Sequence, residues 1–504
     1  MATLSVAAIL AENARRRPDK EALVEGDLRL TFAEVWQRAR AQAGALAELG
    51  VRPGDRVALM APNTADFPQA YYAIAAAGAV VVPVHLLLSP AEVGHVLTDS
   101  GAGLLLVHPA QAETGAAAAR EAGVRVVVLG DELGKLAADA EPLPSYVTRD
   151  ADDPAVVFYT SGTTGVPKGA VLSHFNLVMN ATVNAFDAND IRPDDIALGA
   201  LPLFHAFGQT VSLNSTWRAG ATLVLLPRFD AARAIELMGR EKVNTFHGVP
   251  TMFVALAAAA AEAGALPELR VCISGGASLP VAVLERFEEA FGAKIYEGYG
   301  LSETSPAAAV NQPVFGARPG TIGHPLWGVD VEIARAETED RVELLPPGEL
   351  GEVVVRGHNV FSGYLGRPEA TAEALVDGWF RTGDLGTKDD EGFLRIVDRK
   401  KDVVIRGGYN VYPREVEEVL MRHPGIAQVA VIGLPDELHG EEVCAVVVPA
   451  PGATPDGAEI TEWSKQHLGK YKYPRRVEFT DALPLGPSMK VLKRELRARY
   501  AGRR

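Results

Sequence analysis

The sequence predicts an α/β protein with a large N-terminal domain of two doubly wound subdomains and a small β-barrel-like sheet, followed by a small, mobile α+β domain. Three observations support this prediction for a chain of 504 residues. Short apolar runs rich in β-branched residues alternate with helical patterns over the first part of the chain. Near Gly316 the pattern changes to short strands with frequent Gly and Pro. Beyond Asp398, helices and strands alternate again over a stretch long enough for a small domain.

The first subdomain is predicted from alternating elements that end at glycines. The segment RLTFAEVWQRARAQAGALAELGV has apolar residues at helical spacing and ends at Gly50, and the short strand RVALMAP follows. An Ala-rich helix over Ala70–Ala77 and a buried strand over Ala79–Val84 come next. The helix AEVGHVLTDSG precedes the strand GLLLVHP, and the helix Ala116–Ala122 precedes the strand VRVVVLG. Buried strands joined through helices indicate a parallel sheet covered on both faces.

The second subdomain repeats this pattern after Asp190, with the predicted strands DIALGALPL, ATLVLLP, VNTFHGVP, LRVCISGG and AKIYEGYG. The segments GTIGHPLWGVDVEIA, GELGEVVVRG and WFRTGDLG then favour a small antiparallel sheet or barrel. The charged run Asp398–Asp402 is interpreted as a surface crossing. We therefore predict an N-terminal domain at residues 1–398, a hinge at residues 398–401 and a C-terminal domain at residues 402–504.

Composition limits the class of partner. Hydrophobic residues make up 48% of the chain, which is enough for a core, and 49 basic against 64 acidic residues give a net charge of −15. An acidic surface repels phosphate backbones, so we expect no nucleic-acid partner, and a small anionic ligand needs locally concentrated donors. Cys272 and Cys444 stand alone in apolar runs, which argues against a disulfide scaffold and against a zinc site.

Two segments resemble a secretory signal and a membrane span, but features of each segment argue against these interpretations. The N-terminus places its basic residues after its apolar run, which is the reverse of a secretory signal. The apolar run from Ala70 to Leu88 is almost long enough to span a bilayer, but Gly78, Pro83 and His85 interrupt it. We therefore expect no transmembrane segment and a cytoplasmic protein, either a monomer or a homodimer.

The most informative segment is TSGTTGVPKG, which follows the predicted strand AVVFY. The hydroxyl side chains of Ser161, Thr163 and Thr164 alternate with glycines, and Lys168 closes the loop. Glycines let the backbone approach an anion closely, and successive amides can form an anion-binding nest. The segment differs from a Walker loop because Pro167 precedes the lysine and a strand pattern, GAVLSH, follows it. The loop itself, and not a helix N-terminus, is therefore expected to hold phosphates.

This loop resembles the phosphate-binding loop of the adenylate-forming superfamily, which includes acyl-CoA synthetases, firefly-type luciferases and peptide-synthetase adenylation domains. Further motifs resemble that family in the same order over essentially the whole chain: LPLFHAFG, SGGASL, YEGYGLSET, GYL, WFRTGD, DRKKDVVIRGGYNVYPREVEE and LGPSMKVLKREL. The resemblance implies an AMP-forming acid–thiol ligase most similar to fatty acyl-CoA synthetases. Such an enzyme converts a carboxylic acid and ATP to an acyl-adenylate and pyrophosphate, and then forms a thioester with coenzyme A and releases AMP.

The resemblance also implies a nucleotide site. Glu303 would bind Mg²⁺, and the hydroxyl of Ser302 would contact the α-phosphate. Tyr299 would stack on adenine, while Asp384 would accept hydrogen bonds from the ribose hydroxyls beside Arg399. The other implied nucleotide contacts belong to the phosphate loop and to the glycine-rich segments: Thr160, Ser161, Gly162, Thr163, Thr164, Lys168, Gly275, Gly276, Ala277, Glu297 and Gly300.

The C-terminal part of the chain supplies residues for both steps under the same resemblance. Lys490 resembles the catalytic lysine that stabilises the charge developing between the carboxylate and the α-phosphate. Met489 precedes it where the family usually has Gly, which tolerates φ values that Met does not. Lys401 matches the hinge position. Gly408 would line a tunnel for pantetheine once the small domain has rotated.

The acyl pocket is assigned by resemblance to His205, Phe207, Gly208 and Val249. A substrate carboxylate is already ionised at neutral pH, so His205 is expected to shape or gate the pocket and not to act as a general base. The segment 204–212 contains no acid for a substrate ammonium and no lysine or arginine for a second carboxylate, which favours a medium- or long-chain fatty acid or another apolar acid. Two alternatives are a fatty acyl-AMP ligase that loads a carrier protein and a catalytically decayed nucleotide-binding relative.

Overall fold

The structure is a computed structural model that describes residues 2–160, 167–486 and 491–501. Four sheets organise these residues: two large mixed sheets, a curled antiparallel sheet and a C-terminal sheet. This architecture confirms the predicted α/β fold class, with two doubly wound units followed by a small barrel-like sheet and an α+β unit. Within the described ranges, no helix combines the length and the hydropathy needed to cross a membrane.

The first unit is a seven-stranded sheet in which five strands are parallel and the two strands at one edge, Gly363–Tyr364 and Lys168–Ser173, pair antiparallel with their neighbours. Its strands, in order across the sheet, are Gly363–Tyr364, Lys168–Ser173, Pro154–Thr160, Val80–Pro83, Arg56–Met60, Leu104–Val107 and Arg125–Val128. The near-membrane-length apolar run forms a buried helix, Asp66–Ala76, and the central strand Val80–Pro83. Burial on both sides of a parallel sheet therefore accounts for its hydrophobicity.

The second unit is a nine-stranded sheet that the N-terminus completes. Its strands, in order, are His324–Pro325, Ala307–Val310, Ile295–Gly300, Val271–Ser274, Thr245–Gly248, Ile196–Gly199, Thr222–Leu225, Glu21–Glu25 and Leu28–Thr31. The strand Glu21–Glu25 pairs in parallel with Thr222–Leu225. This first strand was not predicted from the sequence, because the partner with which it pairs lies far along the chain.

The two smaller sheets follow. The antiparallel sheet contains Val329–Ala334, Gly351–Gly357, Trp379–Lys388 and Leu375–Val376, with Leu394–Arg399 paired to Trp379–Lys388. The C-terminal sheet contains Tyr409–Val411, Val404–Arg406, Gly440–Pro449 and Ile426–Asp436, with Arg476–Phe479 paired in parallel to Gly440–Pro449. Both long C-terminal strands were predicted from the runs AQVAVIG and EEVCAVVVP.

Helices surround the sheets. The α-helices are Ala8–Arg16, Phe32–Glu48, Asp66–Ala76, Pro90–Ser100, Ala112–Ala122, Asp131–Asp139, His174–Val183, Ser215–Ala219, Ala231–Glu241, Pro250–Ala260, Val281–Phe291, Pro368–Ala374, Pro413–Leu420, Gly457–His467 and Lys493–Tyr500. Short 3₁₀ turns occupy Pro109–Gln111 and Ser302–Thr304. Two π-helical segments, Asn184–Ala188 and Phe207–Asn214, lie beside one large cavity and contribute residues to its wall. Such segments occur frequently at functional sites.

Polar contacts hold the C-terminal unit against the segment predicted as a hinge. The Asp398 carboxylate accepts a hydrogen bond from the backbone N–H of Arg414 at 2.9 Å. Arg414 also donates to the carbonyl of Ile396. Within the C-terminal unit, Lys493 forms an ion pair with Glu417 at 2.7 Å. These contacts place the start of helix Pro413–Leu420 directly beside the end of the barrel-like sheet.

Trp217 joins the N-terminal strand to the second unit, and its replacement tests that connection. Its side chain is fully buried, its indole N–H donates to the carbonyl of Ala22 at 2.9 Å, and its ring packs against Phe32 and Tyr72. We expect Trp217→Ala to lower the free energy of unfolding by about 3–5 kcal/mol, because it leaves a cavity and an unpaired carbonyl. Thermal and guanidinium unfolding would measure the change. Trp327→Ala, at a residue 66% exposed, is the control and should change stability by about 0.5 kcal/mol or less.

Candidate active site

A cavity of about 820 Å³ lies where the two large sheets meet the barrel-like sheet. The strands Val271–Ser274 and Ile295–Gly300 both end at this cavity. Ligands of α/β proteins bind in crevices at the carboxyl ends of strands, so the position is typical of a binding site. Residues of the barrel-like sheet, including Asp384 and Arg399, form another part of the wall.

Lys168 and Thr160, which were predicted to contact phosphate, lie together in the cavity wall. They face each other across the antiparallel strands Pro154–Thr160 and Lys168–Ser173, and both line the cavity. The Lys168 ammonium lies 5.3 Å from the ring centroid of Tyr364. The strand that begins at Lys168 agrees with the sequence prediction. The other predicted loop residues, Ser161, Gly162, Thr163 and Thr164, lie outside the described residues.

Glu303 is a buried carboxylate that lines the cavity beside Ser302. Its Oε1 accepts hydrogen bonds from the Tyr364 hydroxyl at 2.9 Å and from the Thr160 hydroxyl at 3.4 Å. No described residue donates to Oε2. Oxygen ligands of this kind suit a hard cation such as Mg²⁺, so the donor set fits the metal that the resemblance implies. Burial and the neighbouring carboxylate of Glu303 raise the pKa of Tyr364 well above its usual value, so Tyr364 remains a hydroxyl donor.

Asp384 lies between an aromatic and a cationic neighbour. Its carboxylate is 5% exposed, and it accepts a hydrogen bond from the Tyr299 hydroxyl at 2.6 Å. Arg399 forms an ion pair with the other oxygen at 3.2 Å, because the strands Trp379–Lys388 and Leu394–Arg399 pair Asp384 with Arg399. Lys401 also lines the cavity, and burial lowers the pKa of its ammonium. The structure thus brings together Tyr299, Asp384, Arg399 and Lys401.

Glycines form part of the wall beside Tyr299. Gly275, Gly276 and Gly300 line the cavity, whereas Ala277 does not. A Cβ atom on Gly300 would lie 1.8 Å from the carbonyl oxygen of Pro306, so no larger residue fits this backbone. Gly276 has a φ of +81°, a conformation that L side chains rarely adopt.

The predicted acyl-pocket residues separate into two groups. His205 and Phe207 line the cavity, and Gly208 and Val249 do not. A Cβ atom on Gly208 would lie 2.1 Å from the carbonyl oxygen of Pro202, so this glycine permits a close backbone approach behind the wall. Val249 is buried at the start of helix Pro250–Ala260. Among the lining residues that were not predicted from the sequence are Asn184, Phe204, Val211 and Ile273.

Glu297 and Gly408 also lie away from the cavity wall. Glu297 is fully buried; its Oε1 accepts a hydrogen bond from Leu279 N–H at 3.1 Å and lies 3.7 Å from Arg414. Burial raises the pKa of Glu297 to about 7, although the Arg414 charge opposes this shift. Gly407 and Gly408, both with positive φ, connect the strands Val404–Arg406 and Tyr409–Val411. A two-residue hairpin turn of this kind requires positive φ at both residues, so the turn geometry alone accounts for the two glycines.

Comparison with known proteins identifies the family. The family model for AMP-binding enzymes matches residues 10–365, and the model for the C-terminal domain of AMP-binding enzymes matches residues 415–490. The chain belongs to this family. It is therefore an adenylate-forming enzyme, an ATP-binding and AMP-forming acid–CoA ligase, as the sequence predicted. Lys490, to which the resemblance assigns the catalytic lysine, lies outside the described residues.

The ligase is similar over almost its whole length to several characterised relatives. It is 43% identical to a feruloyl-CoA synthase of Amycolatopsis over 97% of both chains. It is 35% identical to a long-chain-fatty-acid–CoA ligase of Bacillus subtilis, over 97% of this chain and 93% of that protein. Among solved structures, ATP-bound MatB from Rhodopseudomonas palustris superposes with a TM-score of 0.91, at 35% identity over 98% of this chain and 99% of that one.

The raised pKa of Glu297 predicts a pH-dependent stability. The pKa rises from an ordinary value of 4.5 to about 7 on folding, so the protonated form stabilises the folded state at low pH. This contribution is complete below about pH 4.5 and is lost as the pH rises through about 7. We expect the stability of Glu297→Gln relative to the wild-type protein to increase by roughly 1–3 kcal/mol between pH 5 and pH 8.

Thermal unfolding of both proteins across this pH range would test the prediction. Glu289→Gln, at an exposed position on the nearby helix Val281–Phe291, is the matched control, and its difference from wild type should not change with pH. A Glu297→Gln difference that also stayed constant would contradict the assignment of a raised pKa to Glu297.

Proposed function

We propose that this ligase activates an apolar monocarboxylic acid as its acyl-adenylate and then transfers the acyl group to coenzyme A. The observation that supports this proposal is the division of the cavity into two ends. One end carries Lys168, Glu303, Asp384 and Arg399, whereas the acyl end, defined here by Asn184, Phe204, Phe207, Val211 and Ile273, consists of uncharged side chains with the imidazoles of His85 and His205 beside them.

The charged end suits ATP. Lys168 and the adjoining loop would hold the phosphates, and the Asp384 carboxylate would accept hydrogen bonds from the ribose hydroxyls. Tyr299 would pack against adenine beside the glycine-lined wall. Glu303, with the hydroxyl of Thr160 beside it, would hold Mg²⁺, which would neutralise phosphate charge when bound.

The first step needs positive charge at the reacting centre. The substrate carboxylate attacks the α-phosphorus of ATP. The bond from that phosphorus to the oxygen that bridges to the β-phosphate breaks, and pyrophosphate leaves. We propose that Lys490 stabilises the charge that develops on the α-phosphate, and that Ser302 contacts the same group. Because the carboxylate is already ionised at neutral pH, His205 is needed only to shape the entrance of the acyl end.

The second step needs access for a thiol. The coenzyme A thiol loses its proton and attacks the acyl carbon of the adenylate, and AMP leaves. The turn at Gly407–Gly408 is not part of the cavity wall, so its proposed role beside pantetheine requires residues 402–504 to rotate about Lys401. This rotation would break the contacts of the hinge segment described above and the contact between Glu297 and Arg414.

Two substrate classes agree with the apolar acyl end. A medium- or long-chain fatty acid matches the sequence prediction and the name of the Bacillus subtilis relative. An arylpropenoic acid matches the name of the Amycolatopsis relative, to which the chain is more similar. Both classes have one carboxylate and an apolar body, and neither needs a second charge in the pocket.

Pyrophosphate release with a panel of acids, measured with and without coenzyme A, tests the proposal. We expect pyrophosphate with fatty or arylpropenoic acids, and AMP and a thioester only when coenzyme A is present. Dicarboxylic and amino acids should react at least about 100-fold more slowly, because a charged group would be buried without a partner. Absence of pyrophosphate with every acid would contradict the proposal. Accumulation of acyl-adenylate in the presence of coenzyme A would favour the alternative of a ligase that loads a carrier protein.

Separate assays of the two steps test the role of Lys490. We expect Lys490→Ala to slow acyl-adenylate formation by roughly 100- to 1,000-fold, because a cation that stabilises the transition state is lost. Thioester formation from supplied acyl-adenylate and coenzyme A should be nearly unchanged. Lys135→Ala, at an exposed lysine of helix Asp131–Asp139, is the control and should preserve both steps. Equal loss of both steps in Lys490→Ala would refute a role confined to adenylation.

A further inference from the structure

Asn184 gives the acyl end of the cavity a polar group. Its side chain is 3% exposed, and the residue begins the π-helical segment Asn184–Ala188. Asn184 supplies the only side-chain amide among the described residues that line the cavity. A buried amide among mostly apolar neighbours is costly unless its donors and acceptors are paired.

A chain of hydrogen bonds fixes the orientation of this amide. The backbone N–H of Ala307 donates to Asn180 Oδ1 at 3.3 Å, and Asn180 Nδ2 donates to the carbonyl of Ala307 at 2.8 Å. The backbone therefore determines which way the Asn180 amide points. Asn184 Nδ2 then donates to the backbone carbonyl of Asn180 at 2.8 Å and to Asn180 Oδ1 at 3.1 Å.

The side-chain oxygen of Asn184, Oδ1, remains available as a hydrogen-bond acceptor. Two acceptors on Asn180 hold the nitrogen, so the amide cannot be reversed without placing an oxygen against them. No residue in the described ranges donates a hydrogen bond to Asn184 Oδ1. An acceptor that is oriented in advance and has no protein partner is suited to a donor carried by a bound molecule.

We propose that Asn184 determines acyl specificity by accepting a hydrogen bond from a hydroxyl group on the body of the substrate. This inference rests on the proposed function and narrows its substrate class to hydroxylated apolar acids, with hydroxyaryl acids ahead of plain fatty acids. A substrate without the hydroxyl leaves Asn184 Oδ1 desolvated and unpaired, whereas a hydroxylated substrate satisfies it. Sites built to bond a substrate hydroxyl discriminate strongly against analogues that lack it.

Matched pairs of acids test this inference on the wild-type enzyme. The pairs are cinnamate and 4-hydroxycinnamate, 3-phenylpropanoate and 3-(4-hydroxyphenyl)propanoate, and octanoate and 8-hydroxyoctanoate. We expect kcat/KM for pyrophosphate release to favour the hydroxylated member of at least one aryl pair by about 10- to 100-fold. Ratios within twofold for every pair would show that water satisfies Asn184, and would overturn the inference.

Variants then assign the preference to this residue. Asn184→Leu, and the smaller Asn184→Ala in case the leucine variant does not fold, should reduce the ratio to about one by a loss on the hydroxylated acid. Gln69→Leu is the matched control, because the Gln69 amide is also buried, at 5% exposed, and donates to the carbonyl of Ala65 without lining the cavity. It should retain the wild-type ratio.

The outcomes separate this inference from the proposed function. An Asn184 variant that keeps the wild-type ratio would overturn the role of Asn184 while leaving the ligase activity intact. A wild-type enzyme that releases no pyrophosphate with any acid would instead contradict the proposed function itself. A general folding defect would lower the rates for both members of a pair and leave their ratio unchanged.

Discussion

The arrangement of the site depends on keeping two carboxylates, Glu303 and Asp384, buried in one cavity. A buried carboxylate is stable only when donors or cations surround it, and each of these two has specific partners. Tyr364 and Thr160 donate to Glu303, while Tyr299 donates to Asp384 and Arg399 pairs with it. The partners come from both large sheets and from the barrel-like sheet. Assembly of the site therefore requires these three sheets to dock in one arrangement.

The net negative charge of the chain bears on how the site can bind a nucleotide. A net charge of −15 is unfavourable for a polyanionic nucleotide at long range. Arg399, Lys400 and Lys401 are consecutive and all line the cavity, so three cations lie together where the nucleotide is proposed to bind, in a wall that also contains acidic side chains such as Glu303 and Asp384. Over short distances in a partly buried site, such local charges outweigh the net charge of a distant, solvent-screened surface. An acidic chain can thus still bind ATP, which is a small polyanion.

The sequence predicted the fold class because hydrophobic periodicity is local, and it predicted the motif residues because they occur in ordered, recognisable segments. It did not predict the strand Glu21–Glu25, since the pairing with Thr222–Leu225 depends on a distant segment. The roles of Tyr364 and Asn184 were missed for the same reason, because their partners Glu303 and Asn180 meet them only through tertiary or helical geometry. A glycine within a motif did not by itself indicate that the residue lines the cavity. Gly208, assigned to the pocket, permits a close backbone contact behind the wall.

The contact between Glu297 and Arg414 joins the C-terminal unit to the second sheet and contributes little net stability to that junction. The two side chains lie 3.7 Å apart at the junction of that unit with the second sheet. The pKa of Glu297 is nevertheless raised, so the cost of desolvating its carboxylate exceeds the attraction of the Arg414 guanidinium. An ion pair of this kind contributes more to the geometry of the interface than to its stability. A rotation between the two proposed steps is therefore compatible with the well-packed junction seen at Asp398 and Arg414.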